Sequence, residues 1–127
     1  MAAIDTNVLV RLCMSDDPEQ CRRAQDFVQR NAPVFASQLS VLELAWVLGS
    51  VYERPKQTII QALRALLDNQ DLNPEVPTVI ESALDRWEGS GADFADCFIL
   101  ESIQAQGQAP LATFDRKLGK LPGTVLI

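Results

Sequence analysis

Four carboxylates sit inside apolar surroundings of this chain. Asp5 closes the run Ala2-Ala3-Ile4, and Glu43 lies between Val41-Leu42 and Leu44-Ala45. Asp96 lies between Phe94-Ala95 and Cys97-Phe98-Ile99-Leu100, and Asp115 follows Leu111-Ala112-Thr113-Phe114. A carboxylate in a segment that must pack is costly unless it is paired or binds a cation. Four such placements suggest one shared cation site. Magnesium and manganese prefer hard oxygen ligands, and magnesium keeps several of its waters, so three or four carboxylates can hold one or two ions. Ions held this way generate hydroxide, orient a phosphodiester for in-line attack and offset charge on the leaving oxygen. Asn7 and Thr113 are neutral groups able to orient a water or a phosphate oxygen. Arg116 and Lys117, next to Asp115, are either phosphate contacts or ordinary solvated charges.

Each acid also has a local explanation. Asp5 can cap the helix that follows it. Glu43 completes the pattern Ser40-Val41-Leu42-Glu43, the signature of a capping box. Asp93 can cap a helix whose first turn contains Asp96, where the helix dipole favours negative charge. Asp96 shares a face with Ile99, Leu100 and Ile103, which turns it toward the packed side. Asp115 can be an Asx-turn residue. None of these explains the joint placement: two acids at strand ends and two near the starts of apolar helices.

The elements that must position them alternate. Residues 2–4 read as a short buried strand, followed by a short helix with Val8, Leu9, Arg11 and Leu12. Asp16-Asp17-Pro18-Glu19 opens a second helix that runs to about Arg30, with Cys21, Ala24, Phe27 and Val28 on one stripe. Residues 33–36 read as a strand. Helices follow from Ser40 to about Glu53 and from Pro55 onward, the latter with Ile59, Ile60, Leu63, Leu66 and Leu67 at helical spacing. Residues 71–76 are a weak strand, and Pro77 opens a helix through Trp87. Residues 93–106 are helical with Gly107 as the stop, 109–113 a strand, and 124–127 a last strand. Short apolar strands alternating with helices predict an α/β fold whose parallel sheet is covered on both faces. Ligands then bind beyond the carboxyl ends of the strands, and Asp5 and Asp115 fall there if their strands are neighbours.

Composition removes several alternatives. The chain of 127 residues fits a single domain, 1–127, and 47% of it is apolar. It contains no histidine, which excludes Ser-His-Asp and Cys-His hydrolysis, histidine-based ribonuclease chemistry and histidine-ligated zinc. Cys13, Cys21 and Cys97 are odd in number and show no C-x-x-C spacing, as expected of reduced thiols in the cytoplasm. No run approaches the ~18 apolar residues of a membrane span, and no secretory leader is expected. The formal charge of −6 argues against a nuclease that grips nucleic acid with a wholly basic face. It is compatible with a basic partner protein, or with a nucleic-acid enzyme whose cations offset the acids locally. Arg11, Arg22, Arg23 and Arg30 are the available local cations. Trp46, Ile59, Ile60 and Leu63 either pack in the core or form an apolar contact surface.

Together, Ile4-Asp5-Thr6-Asn7-Val8-Leu9-Val10-Arg11, Glu43-Leu44-Ala45-Trp46-Val47-Leu48, Asp93-Phe94-Ala95-Asp96 and Leu111-Ala112-Thr113-Phe114-Asp115-Arg116-Lys117-Leu118 resemble the PIN domain. More narrowly they resemble the VapC-type toxins of bacterial toxin–antitoxin pairs. The resemblance spans the chain, and it implies a three-layer α/β/α fold with a mostly parallel sheet of about five strands. It implies a Mg2+- or Mn2+-dependent endoribonuclease with Asp5, Glu43, Asp96 and Asp115 as catalytic and metal-binding acids. Asp93 would be an auxiliary metal ligand, with Asn7 and Thr113 as polar supports. It further implies an RNA substrate, a homodimer, and a cognate antitoxin whose basic C-terminal segment lies across the acids. Cys97 departs from the alanine more usual after Asp96.

Other readings make different demands on the sequence. A receiver-type phosphoacceptor wants adjacent acids after the first strand, where Asp5 stands alone. An aspartate-nucleophile phosphatase wants a second acid where Asn7 stands. A non-catalytic module using an acidic groove to bind a basic partner peptide is the alternative, and RNA cutting separates it from an enzyme.

Overall fold

The computed structural model describes residues 1–127, which form two compact units, Met1–Val76 and Pro77–Ile127. In the first unit β1 (Ala3–Ile4) leads into α1 (Thr6–Cys13), followed by α2 (Pro18–Asn31) and β2 (Val34–Ala36). Then come α3 (Gln38–Ser50), α4 (Lys56–Asp68) and β3 (Leu72–Pro74). α1 and α2 start where the chain supplies side-chain acceptors for their unpaired first amides. Val8 N donates to the Asp5 carboxylate at 3.1 Å, and Gln20 N to Asp17 at 3.0 Å with Pro18 at the start of the helix.

The start of α3 differs from the sequence reading. Ser37, not Ser40, caps it, accepting from Ser40 N at 3.1 Å. Ser40 therefore lies inside the first turn, and the expected Ser40–Glu43 capping box does not form. The helix also stops earlier than expected, at Ser50, with Glu53 in the left-handed region at φ 54°.

β1, β2 and β3 pair in that order, all parallel, with Ile4 opposite Ala36 and Ala36 opposite Pro74. Val34 and Ala36 point into the core while Phe35 between them does not, the alternation a pleated strand requires. Leu9, Val41, Leu44, Leu48, Ile60 and Leu63 fill the interior. Ile59, Ile60 and Leu63 are thus core residues. Of the proposed apolar contact set only Trp46 is open to solvent, at 64%.

In the second unit α5 (Pro77–Glu88) packs on α6 (Phe94–Ala105), followed by β4 (Leu111–Thr113), a 3-10 turn at Leu118–Lys120 and β5 (Thr124–Leu126). Trp87, Phe94 and Phe98 contact one another in sequence, the first pair tilted and the second edge-to-face, with ring centroids 5.3 and 5.8 Å apart. β4 and β5 are parallel, with Leu111 opposite Thr124. Gly123 sits at φ 88°, a backbone conformation that residues with a β-carbon rarely adopt, so the approach to β5 favours glycine.

The expected α/β architecture and the parallel pairing are both present. The five strands fall into ladders of three and two, however, in place of one continuous sheet. Each strand is two or three residues long, and Pro74 has no N–H to offer a further strand beyond β3.

Arg86 on α5 is held by α6: its Nε donates to Glu101 Oε1, and its Nη2 to Gln104 Oε1 at 3.2 Å. Both partners are mostly shielded from water. Glu101→Ala leaves the guanidinium facing a packed helix without its counter-charge. The expected destabilisation is about 1–3 kcal/mol, read as an earlier urea midpoint with unchanged slope.

Candidate functional site

Asp5 follows β1 directly and caps α1, but the cap uses only Oδ1. Its second oxygen accepts no protein hydrogen bond. Asn7, two residues further, is exposed with its amide unspent. Glu43 lies in the interior of α3, a helix that packs on α1. It is exposed, carries no hydrogen bond or ion pair, and is flanked one turn away on either side by Leu39 and Trp46, which are 75% and 64% exposed. With no capping role, Glu43 has no structural duty within α3.

The second unit holds the other acids. Asp93 occupies the N-cap position of α6, yet its side chain makes no capping hydrogen bond, so the local explanation for it fails. Asp96, in the first turn, is half-buried and likewise has no hydrogen-bond partner. Of the neighbours expected on its packed face, Leu100 is buried but Ile99 is 46% exposed, so Asp96 borders the core without entering it. Burial, followed by the negative charges of Asp115 and Asp93, raises its carboxyl above the usual carboxylate range. Asp115 and Asp93 therefore act electrostatically on Asp96.

Asp115 follows β4. Thr113 Oγ1 accepts from Asp115 N at 3.0 Å, and Asp115 Oδ1 accepts from Lys117 N at 2.8 Å and Leu118 N at 3.0 Å. The Asx-turn reading thus holds for one oxygen and leaves the other unspent. A recess of about 350 Å³ is lined by Asp93, Asp115, Arg116 and Lys117 together with Gly91 and Ala92. Arg116 and Lys117, which the sequence left as either phosphate contacts or ordinary solvated charges, share this recess with two of the acids.

These donors suit a hard divalent cation. They are carboxylate oxygens, most without a protein partner, and Asp96 carries a charge that its neighbours make unfavourable. Within neither unit do three carboxylates or thiols close into a ready-made cage, so any ion bound here retains much of its water. No disulfide joins Cys13, Cys21 and Cys97.

Sequence reasoning missed one feature. Phe27, expected on the buried stripe of α2, is 42% exposed. With Asp5, Asn7, Arg11, Gln20 and Arg23 it lines a cavity of about 610 Å³ in the first unit. The spacing of Gln20, Arg23 and Phe27 at i, i+3 and i+7 was the available signal for a shared face.

The PIN domain family model matches residues 2–123, across both units. The chain belongs to the PIN domain family. PIN domains are in general metal-dependent nucleases, which makes this PIN domain a nuclease-type hydrolase at the level of its family. PIN nucleases act on RNA and often pair with antitoxins. Comparison with curated proteins gave no match. No helix of this PIN domain is long and apolar enough to cross a membrane.

Proposed function

We propose that residues 1–127 act as a single PIN domain: a Mg2+- or Mn2+-dependent endoribonuclease that serves as the VapC-type toxin of a cytoplasmic toxin–antitoxin pair. The observation that carries this reading is the set of carboxylate oxygens, at Asp5, Glu43, Asp93, Asp96 and Asp115, left without protein partners in a PIN domain. Asp5, Glu43, Asp96 and Asp115 would hold the metal, with Asp93 auxiliary. When bound, the metal supplies a water acidic enough to act as hydroxide near neutral pH and stabilises charge on the leaving oxygen.

The protein's own groups do the rest. Thr113 fixes the backbone of Asp115, which orients that carboxylate. Asn7 offers a neutral donor to a phosphate oxygen. Arg116 and Lys117 attract the phosphodiester to the recess they share with Asp93 and Asp115. The formal charge of −6 suits an antitoxin with a basic C-terminal segment, which would shield the acids until released. We further propose a homodimer, to which the exposed Leu39 and Trp46 on α3 would contribute apolar surface.

The test is direct. Purified protein free of partner cuts a structured RNA with Mn2+, chelator stops the cutting, and Asp5→Asn abolishes it. If wild type leaves every RNA intact while still binding a basic peptide, the protein is instead a non-catalytic acidic module.

A further inference from the structure

The cavity beside Asp5 sets Arg11, Gln20, Arg23 and Phe27, which the hydrolytic chemistry does not use, next to Asp5 and Asn7, which it does. β1 and α1 form one wall through Ala3, Ile4 and Val8, and α2 forms the other. Its volume of about 610 Å³ lies within the range of small-molecule sites, and it opens to solvent with Asp5 in its lining. We propose that this cavity is a nucleotide subsite, which receives one unpaired base of the RNA beside the bond to be cut. The proposal rests on the nuclease reading and adds to it where substrate is gripped and how a base is discriminated.

Each part of a nucleotide finds a chemical counterpart. The half-exposed ring of Phe27 offers a face on which a base can stack, a contact every base can make. Gln20 Oε1 accepts from Arg11 Nε at 2.8 Å, which fixes the side chain and leaves its amide nitrogen as an unspent donor. The Asn7 amide, free on both atoms, can read a base edge as donor and acceptor. Arg11 is immobilised by Asp16 at 2.8 Å, which itself accepts from Tyr52 at 2.8 Å. Arg23 is tied only through Nε, to Glu19 at 3.3 Å, so its terminal nitrogens remain available to a phosphate.

An apolar peptide helix could also seek a cavity of this kind. It would leave Asn7 and the Gln20 amide unmatched and set apolar surface against two guanidinium groups, each at a cost. A stacking ring, two amides and two arginines suit a nucleotide better.

The experiment uses the whole chain and two readouts. Backbone amide resonances are followed during titration with each of AMP, GMP, CMP and UMP in the presence of chelator. The cutting of unstructured RNAs that differ at one base is measured with Mn2+. The expected result is saturable shifts at Asn7, Gln20 and Phe27, strongest for one base. Phe27→Ala should weaken that binding and slow cutting by roughly tenfold, whereas Phe27→Tyr, which retains the ring, restores both. Gln20→Ala should flatten the preference among bases, so that cutting rates of RNAs differing at that one base converge.

The proposal is overturned if no nucleotide shifts these resonances, or if Phe27→Ala cuts every RNA at the wild-type rate. It is equally overturned if only a basic peptide, and no nucleotide, perturbs the cavity. Loss of the nuclease reading has a different signature, because wild type would then cut nothing whatever the nucleotides do.

Discussion

Asp115→Asn cuts RNA about a hundred to ten thousand times more slowly than wild type, with its fold intact. The size follows from the several kcal/mol of transition-state charge stabilisation a metal supplies, at 1.36 kcal/mol for each tenfold in rate. The intact fold follows from how Asp115 is used. Its Oδ1 accepts from Lys117 N and Leu118 N, and asparagine keeps an oxygen at that position. The turn after β4 therefore survives, while the outward oxygen becomes an uncharged NH2 that cannot ligate a cation. Thr113→Val removes only the acceptor for Asp115 N, so it loosens the carboxylate without removing it. A loss of roughly tenfold is expected, with the half-saturating Mn2+ concentration raised, and Thr113→Ser restores both. Initial rates across a Mn2+ titration separate the two variants. An Asp115→Asn protein within tenfold of wild type would remove Asp115 from the metal ligands.

The sequence made some of this arrangement legible and concealed the rest for identifiable reasons. Asp5 after β1 and Asp115 after β4 were legible, because short apolar runs ending in turn residues are local signals. The cap assignments on α3 and α6 were not. The Ser-x-x-Glu pattern at Ser40 competes with Ser37 three residues earlier, and Ser37 holds the Ser40 amide. Asp93 sits at the cap position without bonding it, a choice of side-chain rotamer that residue type does not reveal. Phe27 fell on the apolar stripe with Ala24 and Val28, since helical periodicity identifies a face but not whether packed protein or a cavity lies against it. The division of five strands into ladders of three and two depends on which distant segments pair, which hydrophobic pattern leaves open.

Asp96→Asn melts at a higher temperature than wild type in chelator at pH 7, and at a lower one in excess Mg2+. The first half follows from the direction of the Asp96 shift. Burial, then Asp115, then Asp93 raise its carboxyl in the folded protein, while the unfolded chain keeps the ordinary value near 3.9. The positive end of the α6 dipole opposes this, but the net direction is upward. Between those two values the native state binds more protons than the unfolded state, so stability falls as pH rises through the window. Above it, wild type carries the full penalty of a charged Asp96 and asparagine carries none; below the ordinary value the two converge. The difference in Tm should therefore be near zero around pH 3 and widen in favour of asparagine as pH rises to 7. Mg2+ reverses the order, because an ion present at about a hundred times its Kd adds ~2.7 kcal/mol to the form that binds it, and asparagine weakens that binding. Scanning calorimetry of both proteins, with chelator and with Mg2+ at several pH values, reads the crossing. If Asp96→Asn is the less stable protein in chelator at pH 7 and Mg2+ moves neither curve, the acids of the second unit neither repel one another appreciably nor share a cation.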